Sequence, residues 1–594
     1  MKTHLRRLLP GDNTRLLVVA SFIGLMSGIL NIIFRLTVHF VEEFFLKGGK
    51  ELLQIDKGGL YLLLLPLIPM LGMVLLIPLS LLFPGEVNGY GFTKFLRKVN
   101  LEGGYLRARS IFIKIISTAL TIGTGNSAGV EGPIAQIGGA MGSQVGQFFR
   151  VSGNRMKLYI AAGCAGGIAG MFNAPIAGIF FAAEIVLLGT YEISSFSALI
   201  TASAISTVVT RSYFGEANLF VIPQYNVVNH FLELPLYALL AVIAAIVAVI
   251  HTKVFYYVRD FYSNLKIPNQ LKPITGAFIV GTIGIMYPQV MGDGYHFIET
   301  VLYGSEMNKL LILLIFLKIF ATAVTLGSGG AGGVFAPALF IGTMVGGSFG
   351  SFVHKLFPDF TAGPGAYASV GIGAFLAAST HAPLTAIFLL FEMTGNYQII
   401  VPAMLASIIG TVVATKLNED SIDTVDFSRE GINIHEGREV AIMKSLKVGL
   451  AITEDINFIS EQANINQLLL TFSETTSGFY FPVIGDTGKM TGIVSMTDIK
   501  NIIHRDSQER SEQTVGSICH RDIIMLTPDD TLYRAMQLFD IKGIEEIPVV
   551  ESLESPWVLG MLKRRSVISA YNREVLKRGI SEKVGSIRVS DQLQ

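Results

Sequence analysis

Charge is scarce in this sequence: 45 basic and 45 acidic residues make up 15% of 594 positions, against roughly 25% in an average soluble protein. A chain this poor in charge and 51% hydrophobic keeps most of its length in lipid. The formal net charge is zero, which argues against an acidic polymer such as nucleic acid as partner. Cysteine is nearly missing too. Cys164 falls in an apolar segment and Cys519 in a polar one, so neither a disulfide framework nor an oxidising compartment is implied. His381 and Glu392 lack an HExxH spacing, and "GNSAG" is no nucleophile elbow, so the chain is read as not an enzyme, with no required cofactor.

Long uncharged runs are what the sequence does have. Leu60 to Phe83 and Tyr397 to Thr415 hold no charge and match the roughly 20 residues of a spanning helix. Residues 1–15 form a basic leader. The run after it, Leu16 to Phe34, is longer than the roughly 7 to 15 residues of a signal-peptide core and reads as an uncleaved first span with the leader in the cytoplasm. Beyond about residue 420 charges appear every few residues. Residues 421–444 read as a linker and 445–594 as a soluble tail, cytoplasmic if the spans are even in number.

The apolar part, 16–420, repeats itself over about 16–215 and 230–420. "GVEGPIAQIG" from Gly129 returns as "GVFAPALFIG" from Gly333, 204 positions later, and "NAPIAGIFFAAE" from Asn173 returns as "HAPLTAIFLLFE" from His381, 208 later. Two motif pairs at nearly one offset, in one order, mark a duplication, and duplicated membrane halves are typical of transporters whose interrupted helices meet near the midplane. Glycine-rich backbone precedes Pro133 and Pro337, and proline suits a first helical turn. Each motif therefore predicts a helix start inside the membrane, whose free N–H groups and partial positive charge make an anion site without lysine or arginine. Glu131 at such a start acts as an internal substitute for the anion, leaving when protonated or outcompeted. A fixed capping carboxylate is the alternative at this point.

The tail repeats as well. "FYFPVIGDTGKMTGIVSMTDIKNII" from Phe479 to Ile503 parallels "EEIPVVESLESPWVLGMLKRRSVISAY" from Glu545 to Tyr571, after helical patterns "INQLLLTFSE" and "LYRAMQLFDIKG". Each copy reads helix, buried strand, turn, strand, helix, and resembles a CBS module. That resemblance implies an adenine nucleotide in the cleft of the pair, with Ser495 and Asp498 of "SMTD" on phosphate and ribose. The second copy has "KRRS" there, so at most one site is expected intact.

"GVEGP", "GVFAP", the "NAP…E" and "HAP…E" pair, "FEMTGNYQ" and a C-terminal CBS pair, in this order, resemble the CLC family of chloride channels and proton/chloride antiporters. The resemblance implies an all-α polytopic membrane protein with an inverted internal repeat plus a soluble α/β CBS-pair domain. It further implies a homodimer in the plasma (cell inner) membrane, both termini cytoplasmic, with one anion path per subunit. Glu131 is then the gate, and Gly129, Val130, Gly132, Gly333, Val334, Phe335 and Ala336 line the path. Four family positions are altered. Tyr90 in "GYGFT" stands at the family's anion-contacting serine, Val130 at a basic residue, and Asp423 at the tyrosine closing the inner end. Glu184 matches the first glutamate after "NAP", whereas Ile185 replaces the second, which passes protons inward; both are proton-path candidates. Two lost hydroxyl donors to a desolvated anion cost roughly 1.5 to 3 kcal/mol each, of which Tyr90 can restore one; a carboxylate at 423 repels an anion unless it is protonated or turned to water. The apolar Ile185 favours channel-type conduction of chloride or a similar monovalent anion; proton-coupled antiport is the alternative.

Overall fold

The computed structural model describes residues 12–87, 89–151, 153–189, 193–216, 220, 230–304, 308–434, 438–453, 456–474, 480–502 and 512–581. Residues 1–11 of the leader and the outermost residues of the first tail motif, Phe479 and Ile503, lie outside them. The chain divides into two compact units, Met1–Asp426 and Phe427–Gln594.

Among the described residues, six helical stretches of the first unit are long and apolar enough to cross a membrane: Thr14–Leu52, Gly59–Leu82, Glu233–Asn264, Lys309–Ser328, Phe335–Leu356 and Tyr397–Leu417. The uncharged runs are less uniform than their composition implies. Pro66 separates a 3-10 turn, Gly59–Leu64, from the helix Leu67–Leu82, because proline cannot donate to the preceding turn. Tyr397–Ile399 likewise precedes the helix Ile400–Leu417.

The duplication is written into the helices. Arg109–Gly123 and Glu131–Phe148 correspond to Asn308–Ser328 and Phe335–Leu356; Asn154–Phe172 and Pro175–Phe181 correspond to Pro364–Thr380 and Pro383–Thr394. Asn173 and His381 occupy the same left-handed C-cap, φ 57° at both, just before each Ala-Pro helix start. Close helix crossings recur at the same offset. A methyl on Gly138 would lie 2.1 Å from the Gly163 carbonyl oxygen, and one on Gly342 would lie 2.6 Å from that of Gly371. Small residues at these crossings let backbones pack directly, the usual way helices associate in lipid.

The second unit holds two small sheets. β1 (Ile459–Ser460) pairs parallel with β2 (Tyr480–Ile484), which runs antiparallel to β3 (Met490–Ser495); β4 (Glu546–Val550) pairs antiparallel with β5 (Val558–Lys563). The expected helices flank them at Ile465–Glu474, Met496–Ile502, Leu532–Lys542 and Arg564–Ser581. The linker of 421–444 is not free chain at either end. Ile422 donates its N–H to the Ser379 carbonyl at 3.0 Å and belongs to the membrane unit, while Ile442 is buried in the core that Val448, Leu526, Phe539 and Leu562 build around the second CBS copy. Polar composition hid both attachments, since a few apolar residues at the right spacing suffice to bury them.

Candidate anion pathway

The loops ahead of the two helix starts grip one another. Gly129 and Gly333 exchange both backbone hydrogen bonds, at 2.7 and 2.8 Å, as an isolated antiparallel bridge. Threonines of the opposite repeat fix each loop: Thr325 Oγ1 accepts from the Ser127 N–H at 3.2 Å, and Thr121 Oγ1 from the Ala331 N–H at 3.1 Å. These two contacts are equivalent under the 204-residue offset. Helices then begin at Glu131 and Phe335 with no side-chain cap, so first-turn N–H groups of both repeats are left for whatever sits between them.

What sits there is the Glu131 carboxylate. The residue is fully buried. Its Oε1 accepts a hydrogen bond from the Tyr295 hydroxyl, the amides of Glu131 and Ala336 face the carboxylate, and no hydrogen bond of ordinary geometry closes on Oε2. A methyl on Gly129 would lie 2.2 Å from that oxygen and 2.9 Å from the Ala336 nitrogen, so only glycine leaves room for the seat. Val130, Val334 and Phe335 are buried around it, and Gly132 packs on Gly333. The nearby ammonium of Lys318 is committed elsewhere: it donates to the carbonyls of Val290 and Gly292 at 3.0 and 2.9 Å, bracing the loop that carries Tyr295.

Two of the altered positions meet. The Tyr90 hydroxyl donates to Asp423 Oδ1, so the donor expected to replace a lost anion contact is engaged by a carboxylate, and of the two alternatives for Asp423, protonation or turning to water, the buried side chain does not take the second. Asp423 is 4% exposed. The Tyr90 ring packs edge-on against Phe255, centroids 5.7 Å apart, in an apolar setting where a carboxylate lacking a donor is costly.

Glu184 has partners at a helix start. Its oxygens accept from the N–H groups of Leu384 and Thr385 at 3.0 and 2.7 Å and from Thr385 Oγ1 at 2.7 Å, capping the helix Pro383–Thr394. Glu392, its duplicate, accepts from the N–H groups of Ile176 and Ala177 at 2.9 and 2.8 Å. Each repeat thus caps a helix of the other, which gives the Glu184 carboxylate a structural use beside the proton-path role read from the sequence. Ile185 is buried.

A family model described as "Voltage gated chloride channel" matches residues 71–415. The chain belongs to the CLC family. CBS domain models match 448–505 and 515–573. The H(+)/Cl(-) exchange transporter ClcA of Vibrio vulnificus is 32% identical over 416 residues, 68% of this chain and 86% of that protein. The chloride channel protein CLC-f of Arabidopsis thaliana is 28% identical over 631 residues, 93% of this chain and 79% of that one. Among solved structures, a slow cyanobacterial Cl-/H+ antiporter aligns at 27% identity with a TM-score of 0.64, covering 70% of this chain and 97% of that one. Anion transport by a multi-pass membrane protein, as read from the sequence, stands on these likenesses.

In the CBS pair the expected nucleotide residues already have partners. Ser495 N and Oγ donate to Asp498 Oδ2 at 2.8 and 2.6 Å, capping the helix Met496–Ile502, and His520 Nε2 lies 3.0 Å from Asp498 Oδ1. Burial alone raises the Asp498 carboxyl, but these hydrogen bonds bring it below the usual carboxylate range. Arg565 and Ser566 of the second copy's "KRRS" line a cavity of about 410 Å³ together with Thr453, Ser569 and Arg573.

Sequence reasoning missed Tyr295 and Lys318. The signal was present: "GYHF" at Gly294 repeats "GYGF" at Gly89 after 205 positions, and Lys318 follows Lys114 after 204.

Proposed function

We propose that the chain exchanges chloride, or a similar monovalent anion, for protons across the plasma (cell inner) membrane, as a homodimer with one pathway per subunit and both termini in the cytoplasm. The observation that carries this reading is the Glu131 carboxylate, buried against the helix-start amides of both repeats where an anion belongs. Charged, it fills the anion's place; neutral, it loses its attraction to those N–H groups and yields to the anion. One group therefore binds a proton or admits an anion, which is the elementary requirement of exchange. The preference for channel-type conduction rested on Ile185 alone, and relatives named as exchangers weigh the other way. For the CBS tail we further propose weak adenine nucleotide binding at a single site, with Ser495 and Asp498 facing the ligand.

The test is purified protein in chloride-loaded vesicles, assayed for chloride efflux and accompanying proton movement. Glu131→Gln should keep efflux and abolish proton movement. Folded variant protein that still moves protons with the parent's stoichiometry rules the assignment out.

A further inference from the structure

Two buried carboxylates of the membrane unit are held in the same way by residues that the duplication makes equivalent. Tyr90 and Tyr295 stand 205 positions apart, each at the head of a short helix, Phe92–Asn100 and Tyr295–Leu302. One hydroxyl donates to Asp423 and the other to Glu131. Buried lysines of equivalent helices underlie both loops. A methyl on Gly91 would lie 2.7 Å from Lys114 Nζ, and one on Gly294 would lie 3.3 Å from Lys318 Nζ.

In an inverted repeat, equivalent residues fall on opposite sides of the midplane, so the two tyrosine–carboxylate pairs mark opposite ends of one route. Aromatic rings join them. Tyr90 lies 6.4 Å from Phe92, Phe92 6.0 Å from Phe181, and Phe181 6.1 Å from Phe335, and Phe335 opens the helix whose Ala336 amide faces Glu131. Asp423 lies just past the last span, Ile400–Leu417, at the end where the chain leaves the membrane.

We propose that Asp423, latched by Tyr90, is a second proton-operated gate, closing its end of the pathway when charged and opening it when protonated. A proton from the water at that end adds to the carboxylate, removes its charge and weakens its claim on the hydroxyl; the anion then passes, and release of the proton restores the block. This inference rests on the exchange reading and adds to it the group that accepts protons where Ile185 does not.

The charges facing each gate are few. Around Asp423 these are Tyr90, Tyr256 and the neighbouring Asp426. The Tyr256 hydroxyl donates to the Ile422 carbonyl at 2.9 Å. Asp426 is neutralised by Arg259, whose two terminal nitrogens reach it at 2.8 and 2.7 Å. Lys114 lies beneath the Tyr90 loop, and among the described residues no cation is hydrogen-bonded to Asp423. Around Glu131 stand Tyr295, Asp293 and Lys318, with Arg35 acting on Tyr295.

The experiment measures chloride efflux from vesicles at a series of pH values equal on both sides, which makes the orientation of the protein irrelevant. The parent should show two steps of pH dependence. Glu131→Gln should remove one step, Asp423→Asn the other, and the double variant should be flat. Tyr90→Phe should move only the Asp423 step, by about one pH unit, a tenfold change in proton affinity. A flat profile in Glu131→Gln alone, or both steps persisting in folded Asp423→Asn, overturns the second gate while leaving the first intact. Persistence of both steps in Glu131→Gln instead overturns the exchange reading. Should Asp423→Asn fail to fold, Tyr90→Phe decides: a shifted step supports the gate and an unmoved profile overturns it.

Discussion

The hydroxyl of Tyr295 donates to Oε1 of Glu131, so the carboxylate in the pathway is held by a phenol on one side and by helix-start amides on the other. A hydrogen bond to a charged acceptor is worth about 1.5 to 3 kcal/mol, and each pH unit corresponds to 1.36 kcal/mol. Without the hydroxyl the charged gate is less well held, and the proton displaces it more readily. In Tyr295→Phe the Glu131 step of chloride efflux should therefore move to higher pH, by about one to two units. An unmoved step in folded protein would show that Tyr295 does not hold the gate shut.

Gly129 matters because of what its missing side chain leaves open. A methyl there would meet Glu131 Oε2 at 2.2 Å and the Ala336 nitrogen at 2.9 Å, and backbone cannot give way while the Gly129–Gly333 bridge is kept. Gly129→Ala should push the carboxylate off its seat, giving efflux that is faster at alkaline pH and nearly insensitive to the Glu131 step. Thermal unfolding should report a loss of about 1 to 3 kcal/mol from the overpacked site. Parent-like pH dependence in this variant would place the carboxylate elsewhere.

Glu184 and Glu392 separate a cap from a relay. Each accepts two N–H bonds at the start of a helix in the other repeat, and losing such a cap costs about 0.5 to 2 kcal/mol. Glu184→Ala should lower thermal stability by that amount and leave the ratio of protons to chloride unchanged; a changed ratio with unchanged stability would restore Glu184 to the proton path.

Much of the membrane unit was legible because its chemistry is local. Proline and glycine at 129–133 and 333–337 mark helix starts by their backbone preferences alone, and a repeat offset needs no structure to be seen. The Glu131 seat follows from that. The partners of the carboxylates were not legible, because Tyr295, Asp423 and the Glu184–Glu392 exchange are long-range contacts between repeats. Nothing in the run around Asp423 says whether its side chain faces water or a tyrosine 333 positions earlier. Only the duplication bridges such distances, and "GYGF" and "GYHF" are short enough to pass unnoticed beside "GVEGP" and "GVFAP". In the tail, "SMTD" reads equally as a ligand contact or a helix cap, since both uses want a hydroxyl and an acid three residues apart.

The Ser495–Asp498 cap gives the tail a defined acid limit. Its three hydrogen bonds favour the charged carboxyl over burial and hold it below the usual range in the folded protein. A carboxyl lowered on folding contributes stability that is complete above the unfolded value, about 3.9, and fades as pH falls through the lower folded value. The tail should thus be indifferent to this group from neutral pH down to about 5 and lose its contribution only below about 4. Trp557 is the single tryptophan of the chain and packs near Gly488, so its fluorescence in the full-length protein reports on the tail selectively. Asp498→Asn should shift the Trp557 thermal transition down by about 0.5 to 2 kcal/mol of stability at neutral pH, the worth of a helix cap. The difference from the parent should close as the pH falls below 4, because the parent then loses the same charge. A difference constant across that range would show that the carboxylate's charge contributes nothing to the cap.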